Sequence, residues 1–263
     1  MYEGRFGSGN RDGLPGESAG SGESGRFARR WRHAFKLDPD RPVSDEALRR
    51  IMASGTDGII VGGSSGVTFA NTADLLARLR RAGSIPCALE VSNLEAAVPG
   101  FDGYFIPLVL NSRNRDFIIG HHIEAISRFG AFIPWDRVTV LAYIILNPAS
   151  TAARAAEAEM PEDAERVLAM ADLADKLLGL PYVYLEYSGA FGDMELVRRV
   201  KNRLVHARLV YGGGIAGPDQ AEAAARHADL TVVGNAVYRD LERALETVPA
   251  VRRLHDKGVP SGG

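Results

Sequence analysis

Three stretches in the second half decide how this chain folds: Tyr184-Leu185-Glu186-Tyr187-Ser188-Gly189, Tyr211-Gly212-Gly213-Gly214-Ile215 and Val233-Gly234-Asn235-Ala236. Each closes a short apolar, strand-like run and opens onto a helix-like segment. Backbone amides at such corners, with helix N-termini behind them, cradle anions. Three corners on successive strand ends predict a barrel rim that grips a phosphate. A lone carboxylate, Glu186, stands in the first of them.

Working outward, short apolar runs alternate with longer amphipathic segments. Strands are expected at 33–37, 58–61, 87–91, 104–109, 138–146, 182–187, 208–211 and 230–233. Helices are expected at about 44–53, 71–82, 114–129, 162–178, 193–204, 218–226 and 236–247. Alternation of this kind gives a parallel sheet, and eight units give a closed (β/α)8 TIM barrel. A doubly wound open sheet suits eight strands less well. One unit is irregular. The connection between strands three and four, 92–103, is short and holds Pro99 and Gly100, which interrupt a helix. A missing outer helix there would leave an apolar groove in the barrel wall.

The chain has 263 residues, close to the roughly 250 of one such barrel. Residues 1–28 are rich in Gly, Ser, Arg and Glu and poor in aliphatics, so they read as a disordered tail. The alternative is a basic arm through Arg26, Arg29, Arg30 and Arg32. Residues 29–252 form the single domain, and 253–263 a flexible C-terminal tail. The net charge of −2 argues against a nucleic-acid surface. The single cysteine, Cys87, lies in an apolar run, reads as a buried core residue and excludes an internal disulfide. No run approaches the roughly 18 residues of a membrane span, and the N-terminus lacks the apolar core of a secretory signal. These features point to a cytoplasmic protein.

Catalytic groups of such barrels lie at C-terminal strand ends. Strand one ends in Lys36-Leu37-Asp38, which places Lys36 and Asp38 on one face. Strand two ends in Gly62-Gly63-Ser64. A carboxylate, a hydroxyl and phosphate oxygens are hard donors suited to Mg²⁺, so Asp38 and Ser64 form a candidate magnesium platform. No Cys/His cluster suits zinc, and His121 and His122 are adjacent rather than a helical i, i+4 pair. Gly212-Gly213-Gly214 alone is compatible with a tight corner, but Gly234-Asn235 on the next strand strengthens the phosphate reading. Glu186 is read as a general base or an acceptor for a substrate hydroxyl, with a structural ion pair as the alternative.

Several segments together resemble the geranylgeranylglyceryl phosphate synthase family. They are His33-Ala34-Phe35-Lys36-Leu37-Asp38-Pro39, Ser54-Gly55-Thr56-Asp57, Val61-Gly62-Gly63-Ser64, Val98-Pro99-Gly100-Phe101-Asp102, Tyr104-Phe105-Ile106-Pro107 and Leu110-Asn111-Ser112, with the three corners above extended to Val237. Within that family the chain is most similar to the bacterial PcrB-type heptaprenylglyceryl phosphate synthases, over roughly residues 31–250. The resemblance implies a Mg²⁺-dependent prenyl transfer. The 3-hydroxyl of sn-glycerol-1-phosphate attacks carbon one of a long polyprenyl diphosphate, giving an ether and pyrophosphate for lipid biosynthesis. It implies that Asp38 and Ser64 hold the metal, and that Glu186 takes the proton. The glycerol phosphate would be bound by Lys36, Tyr184, Leu185, Glu186, Tyr187, Ser188, Gly189, Gly214, Gly234 and Asn235. It further implies a prenyl groove on the barrel side, with small residues near Ala125 permitting a long chain, transient contact with a membrane surface, and a homodimer. Ser65 departs from the pattern, because an acidic residue often stands there in the family. Two other classes remain: a phosphate-binding sugar isomerase or aldolase, for which Lys36 is the one strand-end lysine, and a non-catalytic phosphometabolite-binding protein.

Overall fold

The computed structural model describes residues 27–256. The expected N-terminal tail up to residue 26 and the expected C-terminal tail from residue 257 lie outside the described residues, whereas residues 253–256, also placed in that C-terminal tail, continue the last helix, Leu241–Asp256. Eight strands close in sequence order into a parallel barrel. They are β1 (His33–Leu37), β2 (Gly58–Val61), β3 (Cys87–Glu90), β4 (Gly103–Val109), β5 (Val138–Ile145), β6 (Tyr182–Glu186), β7 (Arg208–Gly212) and β8 (Leu230–Val233). The seam closes with Phe35 opposite Val233.

The pleat explains why these runs are strands. Alternate residues face the lumen and the helix layer. Ala34, Ile60, Phe105, Tyr143, Tyr184 and Val232 belong to the inner core. Phe35, Ile59, Leu89, Ile144, Leu185 and Val233 belong to the layer between strands and helices. Both faces are buried, so the strands read as nearly continuous apolar runs.

The helices are α1 (Asp45–Ala53), α2 (Phe69–Ala82), α3 (Gly120–Phe129), α4 (Thr151–Ala155), α5 (Ala164–Asp172), α6 (Met194–Arg203), α7 (Pro218–Ala225), α8 (Ala236–Arg239) and α9 (Leu241–Asp256). Polar caps start many of them: Ser44 accepts from Ala47, and Asp163 from Arg166. The helix expected at 114–129 divides into a 3-10 turn at Arg115–Phe117 and α3. The segment expected at 236–247 breaks at Asp240, whose backbone turns extended and whose carboxylate accepts from Arg243 N at 3.2 Å. The 162–178 helix ends at Asp172 as α-helix and continues as a π turn, Leu173–Leu177. α4 is absent from the sequence expectation because five residues carry no readable period. Its signal is Ser150, whose hydroxyl accepts from Ala153 N at 3.0 Å. Ser150→Ala is expected to cost about 1 kcal/mol in a urea titration.

The sequence places Phe27 and Ala28 in the tail, but both belong to the packed body. Phe27 meets Trp31 edge-on at 5.0 Å between ring centroids, and Trp31 meets Phe105 at 6.2 Å. Arg208 donates to the carbonyls of Ala28 at 2.8 Å and Trp31 at 2.6 Å. An aromatic plug thus closes the end of the barrel opposite the glycine corners.

The short β3–β4 connection carries one 3-10 turn, Leu94–Ala96. Its consequence appears on β4. The outward residues Tyr104, Ile106 and Leu108 are only half-buried, whereas those of β2, β3 and β6 are buried. α3 contributes no buried residue, and Ile123 and Ile126 on it are exposed. The barrel wall is therefore apolar and thinly covered at this point.

Candidate active site

A cavity of about 450 Å³ opens at the C-terminal ends of the strands. Lys36, Asp38, Ser64, Tyr184, Glu186, Ser188, Gly189, Gly214, Gly234 and Asn235 all line it. Leu185 and Tyr187 do not. Leu185 alternates outward and is fully buried against the helix layer. Tyr187 lies outside the strand, packs its ring 5.9 Å from that of Tyr211, and donates its N–H to Gly212 O at 2.7 Å. The contiguous run 184–189 spans both faces of a strand, so only part of it can meet a ligand.

The glycines fit their places sterically. Gly214 has φ +63°, in the left-handed region, and a Cβ there would fall 2.1 Å from Phe191 N. A Cβ on Gly212 would fall 2.1 Å from the Tyr184 hydroxyl. The loops are then tied in position. Tyr211 Oη accepts from Gly192 N at 2.8 Å and donates to Gly213 O at 3.0 Å. Asn147 Nδ2 donates to Ser188 O at 2.6 Å.

A polar string crosses the lumen from β1 to β6. Lys36 Nζ donates to Glu90 Oε1 at 2.6 Å. Tyr143 Oη donates to the other Glu90 oxygen. The Tyr143 and Tyr184 rings lie 4.3 Å apart, and the Tyr184 hydroxyl reaches Glu186. Glu186 Oε1 also accepts from Ser188 N at 2.6 Å. Burial would depress the Lys36 ammonium, but the Glu90 and then the Glu186 carboxylates outweigh it and hold it above its ordinary value. Burial pushes the Glu186 carboxyl up, against the opposing pull of Lys36 and the Ser188 hydrogen bonds. Burial also drives both tyrosine hydroxyls well above their usual range, so they stay protonated as donors.

Asp38 and Ser64 follow the paired strands β1 and β2 and line the same cavity. The Asp38 carboxylate lies against Gly63, where a Cβ would fall 2.4 Å from its Oδ1. Asp38 Oδ1 accepts from Asp40 N at 3.0 Å, and burial raises its carboxyl. Among the described residues no group of three or more His, Cys, Asp or Glu could hold a metal. A cation at Asp38 and Ser64 would thus complete its shell with substrate oxygens and water, as Mg²⁺ commonly does. Two protein oxygens, one of them exposed at Ser64, fit that demand. His122 Nε2 donates to Pro107 O at 3.0 Å. His33 is buried between the hydroxyls of Thr56 and Thr247 at 2.8 and 2.9 Å, and burial lowers it to about 3.

Sequence reasoning gives Glu90, Tyr143, Asn147, Arg41 and Tyr238 no role. Glu90 has a signal: a carboxylate closing the apolar run Cys87-Ala88-Leu89, with lumen parity in register with β4. The partner that gives it meaning is 54 positions away.

The heptaprenylglyceryl phosphate synthase of Geobacillus kaustophilus (strain HTA426) is 52% identical over 226 residues, 86% of this chain and 94% of that protein. That of Geobacillus thermodenitrificans (strain NG80-2) is 52% identical over 234 residues, 89% and 98% respectively. Among solved structures, (S)-3-O-geranylgeranylglyceryl phosphate synthase from Thermoplasma acidophilum, in complex with substrate sn-glycerol-1-phosphate, superposes with a TM-score of 0.77. It is 25% identical, and the match covers 87% of this chain and 96% of that one. The profile of the PcrB family matches residues 27–252, the whole barrel from plug to α9. With a closed parallel barrel, glycine corners around one cavity and that match over residues 27–252, this chain belongs to the PcrB family.

Proposed function

We propose that the chain transfers a polyprenyl group to the 3-hydroxyl of sn-glycerol-1-phosphate, with a heptaprenyl group as the preferred donor chain. The observation that carries this reading is the buried Glu186 carboxylate, set in one cavity between the glycine corners and the Asp38–Ser64 pair. The relatives at 52% identity bear the name of that activity.

The glycine corners and Lys36 hold the glycerol phosphate so that its hydroxyl faces carbon one of the donor. Fixing the two reactants in line converts part of the barrier into prior binding. The hydroxyl oxygen bonds to carbon one, and the carbon–oxygen bond to the diphosphate breaks. The electron pair leaves with pyrophosphate, and the hydroxyl proton passes to Glu186. An allylic carbon carries cation character early, so the base acts late. Asp38 and Ser64 would hold a Mg²⁺, which when bound would supply charge neutralisation for the leaving diphosphate. The thinly covered wall at Ile106 and Leu108, with half-buried Ala125 on α3, the helix that follows β4, supports a path for the chain along the barrel side. Homodimerisation and contact of the prenyl chain with a membrane surface belong to the same proposal. No helix among the described residues is long and apolar enough to cross a membrane.

The Schiff-base reading loses its ground at Lys36. A lysine must shed its proton to attack a carbonyl, and this one is paired with Glu90 and held above its ordinary value.

Incubation with Mg²⁺, labelled sn-glycerol-1-phosphate and a series of polyprenyl diphosphates tests the proposal. The expected product is an ether-linked prenylglyceryl phosphate, with the highest kcat/KM for the heptaprenyl donor. Absence of ether product at every chain length overturns it, as would product formation from glycerol and glycerol phosphate at equal rates.

A further inference from the structure

Arg41 has no part in the scheme above, yet it lines the same cavity. It follows Asp38 by three residues in a turn that its own N–H closes on the Asp38 carbonyl at 3.1 Å. Its Nη1 donates to Asn235 Oδ1 at 2.7 Å. Its guanidinium carbon lies 3.7 Å from the centroid of the Tyr238 ring. Tyr238 is itself anchored. Its hydroxyl accepts from Asp38 N at 2.7 Å and donates to Asp38 O at 3.3 Å. Among the described residues Arg41 is in no ion pair; its partners are a neutral amide and an aromatic face.

Charge makes this arrangement informative. Among the described residues the cavity is lined by two cations, Lys36 and Arg41. The first is already matched by Glu90 at 2.6 Å. A phosphate monoester carries about −1.5 to −2 near neutral pH. Backbone amides at glycine corners orient such a group but bring only partial charges. A planar guanidinium offers two parallel donors to two phosphate oxygens. Stacking on Tyr238 holds that plane in place with little rotamer freedom left to lose. Direction selects the ligand. Arg41 leans toward Asn235 and Tyr238, beyond β8, where Gly234 and Asn235 border the phosphate corner. The Asp38 carboxylate instead faces Gly63 on the β2 side.

We infer that Arg41 is a binding and specificity residue for the phosphate of the acceptor substrate, exchanging the Asn235 side-chain oxygen for two phosphate oxygens while it stays stacked on Tyr238. The inference rests on the proposed acceptor and deepens it. It explains how a corner built of neutral amides comes to prefer a phosphorylated glycerol over glycerol. It also gives Asn235 a second duty, keeping the guanidinium at the rim until ligand arrives.

Titration calorimetry of sn-glycerol-1-phosphate alone, with steady-state kinetics varying each substrate in turn, tests this on the wild type, Arg41→Ala and Arg41→Lys. Losing a charge-assisted pair should weaken the glycerol-phosphate Kd and raise its KM by about 10- to 100-fold in Arg41→Ala. KM for the prenyl diphosphate should stay within about twofold, and Arg41→Lys should recover part of the loss as a point charge. An unchanged glycerol-phosphate Kd in Arg41→Ala overturns the inference, and so does a rise confined to the prenyl diphosphate KM. If the alanine variant does not fold, Arg41→Lys decides the matter, because full retention of the wild-type Kd would contradict the bidentate fork. A wild type that turns over the substrates while Arg41→Ala matches it sinks the inference alone. A wild type that binds no sn-glycerol-1-phosphate removes the acceptor assignment beneath it.

Discussion

Glu186→Gln lowers kcat for ether formation by about 10²-fold or more, while KM for glycerol phosphate moves little. Glutamine keeps the shape of the side chain and an oxygen for the Ser188 N–H, now 2.6 Å from Oε1. It cannot take a proton. The pH profile sharpens the test. Burial lifts the Glu186 carboxyl above its ordinary 4.5, with Lys36 and Ser188 opposing. A base must be ionised to act, so kcat/KM falls as pH drops through that raised value, and the limb disappears in Glu186→Gln. Stability runs the opposite way. A carboxyl raised in the folded state favours folding below its unfolded value, and that advantage is lost as pH rises through the folded value. At neutral pH the ionised Glu186 therefore costs stability, and Glu186→Gln should melt at the same temperature as the wild type or higher. A variant that loses activity and stability together would make Glu186 a structural ion-pair partner instead.

Much of this site is legible because polar residues inside apolar strands are conspicuous. Lys36 and Glu186 each interrupt a run whose neighbours are all buried, and both keep lumen parity. The glycine corners are legible for a steric reason: at Gly214 a side chain would strike the Phe191 backbone. The eight strands follow from the same logic, and their observed bounds differ from expectation by at most one residue at either end.

Other features are invisible along the chain because they depend on closure. Ring contact between Phe27, Trp31 and Phe105 turns a piece of apparent tail into the plug of the barrel. The run 184–189 reads as one ligand-binding stretch, but a strand shows a ligand only every second residue, and Leu185 and Tyr187 fall on the wrong side or pack away. Arg41 is given no role by the sequence, and it gains one only when Asn235, 194 positions later, is placed beside it.

Glu90 stands between the two cases, since its carboxylate interrupts an apolar run but its partner Lys36 lies 54 positions away, and it carries the second large effect. Glu90→Leu is expected to lower the free energy of unfolding by about 3 kcal/mol, because it leaves a buried ammonium without its counter-ion. The Lys36 side chain keeps 20% of its exposure and that of Glu90 7%, so water can replace the pair only in part. Tyr143 loses its acceptor in the same variant. Adding Lys36→Met should restore much of the loss, since an apolar pair of similar length has no charge to desolvate. A double-mutant cycle read by urea unfolding therefore gives a coupling of more than about 1 kcal/mol, whereas additive losses would show that the two side chains do not depend on each other. The pH sign is fixed by Lys36. Its raised value contributes stability that is present below the ordinary lysine range and lost as pH climbs through the folded value. The wild-type advantage over the double variant should thus hold at neutral pH and shrink only in strong alkali. Activity separates the roles again: the double variant regains stability but not turnover, because the ammonium facing Glu186 across the lumen is gone.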